Sequence, residues 1–320
     1  MVRIVRTPVV RLLVAVAAFI VAVAAMAQEY PNRPIRIVVP STPGVPQDVI
    51  ARVAAQEMSK MLGQPIFIEN KPGADQVIGL EFVAKQQPAD GYTLVLVAVG
   101  SLATLPVLVK DLRFDPLKDL PPISTMVEGR YVFGSSASKP WKTFQEFVTH
   151  AKANPGKLNF GASNNSVRML AEAITRASGL GVVYVPYSQA SAYLNAMVSG
   201  EVDMGVLAES ATLSFGERFR TLAATGSQRR APLMDVPTFA ELGMPQIPST
   251  SYSMNVAAGT SKAVVDKVYA ATLHAMQQQT FKDQMAKLYM VVIADTPEAA
   301  ARKLADDARF YADIARRIGL

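Results

Sequence analysis

Short apolar runs alternate with stretches of helical periodicity along almost the whole chain. IRIVVP (35–40) is a continuous apolar run ending at a proline and predicts a buried strand. After it, Val49, Ile50, Val53, Ala54, Met58 and Met61 fall on one face of a helix. QPIFIE (64–69) predicts a second strand and residues 77–85 a second helix. YTLVLVAV (92–99) predicts a third strand, which runs through Gly100 and Ser101 into another helix. This βαβαβ order argues for a parallel sheet with helices on both faces.

The pattern restarts near Arg130. YVFGS predicts a strand, followed by a helix at 143–153, a strand at 158–161, a helix at 167–178, a strand at 182–185 and a helix at 190–199. Strands at 202–207 and 221–224 end the block. Two α/β halves of about 100 residues suggest two lobes. No repeat relates them in sequence. From Ser251 a strand (SYSMNVAAG) leads to helices at 262–278 and 281–287, a short strand (MVVI) and a long helix from Pro297. That tail either forms a third region or returns to the first lobe.

Residues 1–27 break the pattern. MVRIVRTPVVRLLVAVAAFIVAVAAMA has Arg3, Arg6 and Arg11, then an apolar run, then Ala25-Met26-Ala27, the small-x-small signature of a cleaved secretory leader. The run is short for a membrane span. The mature chain is therefore expected to begin near Gln28 and to work outside the inner membrane, in the periplasm. Three of the 32 basic residues lie in the leader and all 26 acids lie after it, which leaves a mature net charge of about +3. The basic residues are scattered, so nucleic acid is not an expected partner. The absence of cysteine removes thiolate chemistry and Cys-ligated metals. His150 and His274 both sit in helical patterns and read as structural or solvent-exposed. No metal or cofactor is expected.

In open parallel sheets, ligands bind beyond the carboxyl ends of the strands. Three loops there carry polar chemistry. Ser41, Thr42, Pro43, Gly44 and Val45 precede a helix start whose freed amides favour an anion; Asp48 reads as a residue interacting with that helix end. Gly73, Ala74, Asp75 and Gln76 form a second loop, in which Gly73 can take positive φ or simply make a turn. Ser163, Asn164, Asn165 and Ser166 form a third, one of them an N-cap and the others open to a ligand. Tyr187 is either a cleft wall or a core edge. HExxH, GxSxG, the Walker lysine and GxGxxG are all missing.

The chain resembles the solute receptors of tripartite tricarboxylate transporters, the Bug family of periplasmic proteins. The resemblance rests on YPNRPIRIVVP (30–40), LGQPIFIENKPGADQVIG (62–79), DGYTL (90–94), AKANPGKLNFGAS (151–163), VPY (185–187), GEVDMG (200–205), DVPTFAELG (235–243) and AAGTS (257–261). It implies a two-lobed binding protein of the Venus-flytrap type with two crossover segments, near residues 128–130 and 248–251. Lobe 1 is then 28–128 plus 251–320, and lobe 2 is 129–250. It implies a monomer that binds a small organic acid between the lobes and passes it to a membrane permease. On the family's pattern, Ser41 to Val45 and Gly73 to Gln76 cradle a carboxylate, with Ser163 to Ser166 and Tyr187 opposite. Ser101, Glu209 and Ser210 are further candidates.

Two departures fall at the cradle. Ser41 and Val45 stand where the family has an aromatic residue and a glycine, and Asp75 and Gln76 stand where it has glycines. An inward Asp75 would repel a carboxylate, so either these side chains turn to solvent or the solute differs from the common dicarboxylates, in which case one bearing an amine, amide or hydroxyl group suits Asp75 better. Two other readings share the leader: a sensor subunit that presents a bound ligand to a signalling partner, and an exported hydrolase. The missing catalytic motifs count against the last.

Overall fold

The computed structural model describes residues 30–244 and 247–319, and the expected leader at 1–27 lies outside them. β1 (Ile35–Val39), α1 (Pro46–Leu62), β2 (Ile66–Asn70), α2 (Val77–Lys85) and β3 (Thr93–Ala98) form the predicted βαβαβ unit. β2 and β3 both pair parallel with β1, because each helix carries the chain back to the same end of the sheet. Both faces are covered. Ile35, Ile37 and Val39 pack to one side with Leu94 and Leu96. Val38, Val95 and Val97 pack to the other. Hence these strands read as unbroken apolar runs. Pro46 at the first turn and Gly63 in the left-handed region bound α1.

β3 runs straight into α3 (Val99–Leu108), and the short α4 (Pro116–Asp119) leads to β4 (Pro122–Glu128). The second sheet contains β5 (Tyr131–Ser136), β6 (Asn159–Ala162), β7 (Val183–Pro186), β8 (Met204–Ala208) and β9 (Phe219–Ala224), with α5 (Phe144–Ala153), α6 (Asn165–Ala177) and α7 (Ala190–Ser199) between them. The chain then returns as β10 (Ser251–Val256), α8 (Lys262–Gln277), α9 (Gln279–Lys287), β11 (Val291–Val292) and α10 (Pro297–Ile318). The tail does not form a separate sheet. The first sheet has the order β11-β4-β10-β3-β1-β2 and the second β7-β6-β8-β5-β9.

The expectation of a parallel sheet needs correction, since both sheets are mixed. β10 is antiparallel to β3 and to β4, and β5 is antiparallel to β8 and β9. The reason is the path of the chain. β4 leaves the first sheet at the end facing the second lobe, and after Gly129 and Arg130 the chain enters the second sheet as β5. β10 comes back the same way and so runs against the strands already there. The two crossovers touch, with the Gly129 amide donating to the Thr250 carbonyl at 2.8 Å.

β4 is a strand that periodicity does not reveal. Ser124 and Thr125 are fully buried in it. Asp295 accepts from the Ser124 hydroxyl and, at 2.6 Å, from the Thr125 amide, while the buried Thr125 hydroxyl has no partner. α10 lies on α3 and β4 and also touches α6. Its Leu304, Tyr311, Ile314 and Ala315 join an apolar cluster that continues into the second lobe. Among the described residues, no helix is long and apolar enough to cross a membrane.

Candidate functional site

The carboxyl ends of β3, β6 and β8 face a cavity of about 250 Å³ between the two sheets. Gln47, Asp75, Gln76, Ala98 and Ser101 line it from the first lobe. Ser163, Asn164, Ser166, Val167, Ala190 and Tyr193 line it from the second, together with Ala208 and Ala211. Tyr131, Thr250 and Tyr252 close the side where the chain crosses over.

Two helices begin at this cavity with no side-chain cap. α3 follows Ala98 and α7 follows Gln189, and neither cap residue bonds its helix. Alanine has no side-chain acceptor, so the first amides of α3 keep their donors for something else. Each helix also directs the positive end of its dipole into the cavity. α6 differs, because Asn164 accepts from the Val167 amide at 2.9 Å and caps it. Asn164 is thus the N-cap expected within Ser163–Ser166.

The loop before α2 has an unusual backbone. Ala74, Asp75 and Gln76 all lie at positive φ, at 46°, 50° and 77°, next to Gly73 at 127°. Non-glycine residues rarely adopt this conformation, and a run of three is costly. The loop keeps a glycine-like path although two of its residues carry long polar side chains. Gln76 donates to the Ser101 hydroxyl at 2.8 Å. Asp75 has an exposed residue surface, yet protein around its carboxyl desolvates it and raises its pKa, against the lowering effect of a hydrogen bond with Asn165. Asp75 is the one carboxyl-bearing side chain in the described lining. The cross-lobe contacts continue at Ser166, whose hydroxyl donates to the Gly100 carbonyl at 3.4 Å.

Other expected site residues lie elsewhere. Ser41, Thr42, Pro43, Gly44 and Val45 do not line the cavity, and their loop is braced from behind. Asp48 accepts from the Gly44 amide and from Arg52, while Asn70 donates to both the Ser41 carbonyl and Asp48. Burial is the largest single influence on Asp48 and raises its pKa, but these hydrogen bonds together outweigh it and the net shift is downward. Asp48 therefore ties two loops together as well as sitting at a helix start. Gln47 is the residue of α1 that reaches the cavity, held by a 2.7 Å bond to the Leu96 carbonyl.

Gly73, Ala74, Asn165 and Ser210 are also outside the lining. Tyr187 stands behind it, with its hydroxyl on Glu201 at 3.0 Å and its ring 5.8 Å from that of Tyr193. Glu209 is buried in an ion pair with Arg130, which also donates to the Arg230 and Ala231 carbonyls. His150 packs on Trp141 in α5 and His274 lies in α8, both away from the cavity.

Sequence reasoning missed Gln47, Tyr131, Tyr193, Thr250 and Tyr252. Tyr193 is fully buried, and its hydroxyl donates to the Val206 carbonyl at 3.0 Å. Burial raises the phenols of Tyr131 and Tyr252, while a hydrogen bond with Thr250 lowers both. All three therefore serve as neutral walls. A signal for two of them was in the sequence: Tyr131 and Thr250 adjoin the expected crossovers, and a cleft between hinged lobes has the hinge as its floor.

Residues 50–320 match the family model described as tripartite tricarboxylate transporter family receptor. The chain belongs to this family. A protein of Cupriavidus necator, named as a UPF0065 protein in the gbd 5′ region, is 33% identical over 92% of this chain and 90% of its own. The solved structure of the periplasmic binding protein BugD superposes with a TM-score of 0.76 at 26% identity, covering 91% of this receptor and 99% of BugD. MatC from Rhodopseudomonas palustris, solved with bound malate, has a TM-score of 0.76 at 26% identity and covers 89% of the receptor and 100% of MatC. The receptor thus has the two-lobed fold of periplasmic binding proteins, and its family consists of solute receptors, not enzymes.

Proposed function

We propose that this receptor captures a small carboxylate-bearing solute between its lobes in the periplasm and delivers it to the membrane permease of a tripartite tricarboxylate-type transporter. In this reading a leader at 1–27 directs export. Lobe 1 comprises 28–128 and 251–320, lobe 2 comprises 129–250, and they close about residues 128–130 and 248–251. One observation carries the reading: two uncapped helix starts, α3 from one lobe and α7 from the other, open into one cavity. Freed amides and helix dipoles are an anion site that needs no cationic side chain, and none is among the described residues that line this cavity. The cavity volume suits a metabolite of a few carbons. MatC, with malate bound, supports the same class of solute.

Ala190 offers a clean test. It is the first residue of α7, and Gln189 before it is extended at φ −130° and ψ 135°, the conformation that precedes proline. Proline is well tolerated at this position and removes one amide donor. Ala190→Pro is expected to weaken the tightest organic acid in a calorimetric panel by about 1.5–3 kcal/mol, the range for a hydrogen bond to a charged group. The urea midpoint should stay unchanged. Undiminished affinity would remove the α7 start from the site.

Closure has its own measurement. Small-angle scattering should give a smaller radius of gyration when the receptor is saturated with that acid. An identical radius would mean that solute capture does not involve hinge motion.

A further inference from the structure

We propose that the solute of this cleft is a zwitterion, with its carboxylate at the uncapped start of α7 and a protonated amine held by Asp75 and Gln76. The proposal rests on the carboxylate-receptor reading above and narrows it to amino acids as a chemical class.

Charge is the first reason. Asp75 is the one carboxyl-bearing side chain in the described lining, and no lysine, arginine or histidine joins it there. Its partner across the cleft, Asn165, is neutral. A hydrogen bond from an amide orients the carboxylate but leaves its charge uncompensated. A dicarboxylate entering this cavity would meet the Asp75 carboxyl group and, among the described lining residues, no cationic side chain to offset it, while an ammonium group would pair with Asp75.

The second reason is independent of charge. The Gln76 side-chain oxygen is buried and has no hydrogen-bond partner. The amide nitrogen of the same side chain donates to the Ser101 hydroxyl at 2.8 Å. A buried acceptor without a donor is costly. Gln76 follows Asp75 directly in the left-handed run, so a carboxylate and an amide oxygen come from one rigid turn. Two adjacent acceptors on one wall match the several N–H donors of an ammonium.

The far wall supplies the complement. The α7 start comes from the other lobe, carries no side-chain cap and has Ala190 at the cavity surface. Its amides donate where Asp75 and Gln76 accept. Ligand polarity is thus set across the cleft, and only a molecule with both ends satisfies both walls when the lobes close.

Calorimetry on the wild-type receptor and on Asp75→Asn tests this, using an amino-acid panel against dicarboxylates of matched carbon number, malate and succinate among them. Asparagine tolerates the left-handed backbone of position 75, so this variant keeps the loop. The tightest wild-type ligand should carry an amine. Asp75→Asn should weaken it roughly tenfold to a hundredfold, as for loss of a charge-assisted bond, and should tighten binding of the dicarboxylates. Asp75→Gly, which removes the acceptor entirely, should act in the same direction. If dicarboxylates bind wild type and every amino acid fails, the zwitterion proposal is overturned and the carboxylate-receptor reading stands. If no acid of either kind binds, both fall. Equal affinities in wild type and Asp75→Asn would also overturn the proposal.

Discussion

Glu209→Gln is expected to cost about 3–5 kcal/mol of stability, the range for breaking a buried ion pair by removing one partner. Arg130 and Glu209 are each about 2% exposed. The guanidinium Nε reaches one carboxylate oxygen at 2.7 Å, and Nη2 reaches the other. Glutamine keeps the volume but leaves a buried cation without its counter-charge. The consequence extends beyond the pair. Arg130 joins the crossover after β4 to the Arg230 and Ala231 carbonyls, and Glu209 begins the segment in which Ala211 lines the cavity. Arg130→Met combined with Glu209→Leu should recover part of the loss, since an apolar pair needs no counter-charge. It should remain below wild type because the two carbonyls lose their donor. Urea denaturation of the three proteins decides this. A Glu209→Gln midpoint like that of a surface substitution would show that the pair contributes little.

Gly134→Ala should be the other severe change, at about 3 kcal/mol, the upper range for overpacking a core. Gly134 lies in β5, where the register with β9 shifts. A Cβ there would come within 2.3 Å of the Arg220 carbonyl and 2.5 Å of the Phe219 ring. The carbonyl is backbone and cannot rotate aside, so β5 and β9 must move apart. β5 is the strand by which the chain enters the second sheet, and it also pairs with β8, which ends at the cavity. Loss of stability should therefore be accompanied by weaker solute binding. Differential scanning calorimetry with and without ligand measures both. A melting temperature within a degree or two of wild type would contradict the steric argument.

These two positions show how stability and site are joined at the crossover. The cavity floor is made by the residues that carry the chain between sheets, Tyr131 on the way out and Thr250 and Tyr252 on the way back. Anything that loosens the crossover alters the floor. This supports the proposed closure about residues 128–130 and 248–251.

Local patterning alone determined most of the elements. Strands covered on both faces read as apolar runs, and helices showed their buried stripe. α2 and α7 fall where periodicity predicts them. Polar loops after strands pointed to Asp75, Gln76, Ser101, Ser163, Asn164 and Ser166, all of which the fold brings to one cavity. They meet because the carboxyl ends of parallel strands converge whatever the side chains are. Tertiary structure decided the rest. β4 is a strand because β10 and β11, from far along the chain, pair with it and Asp295, 170 residues away, accepts from its Thr125 amide, and no local pattern encodes distant partners. Both sheets are mixed because the chain crosses twice at one end, a property of path and not of composition. Glu209 is withheld from the cavity by Arg130, and Ser41 to Val45 by the brace of Asp48 and Asn70. Tyr193 becomes a wall because Gly205 opposite leaves room for its hydroxyl, which a Cβ would approach within 2.2 Å. A sequence names the chemistry available at each position, but which groups are already occupied by another part of the chain is settled only when the chain has folded.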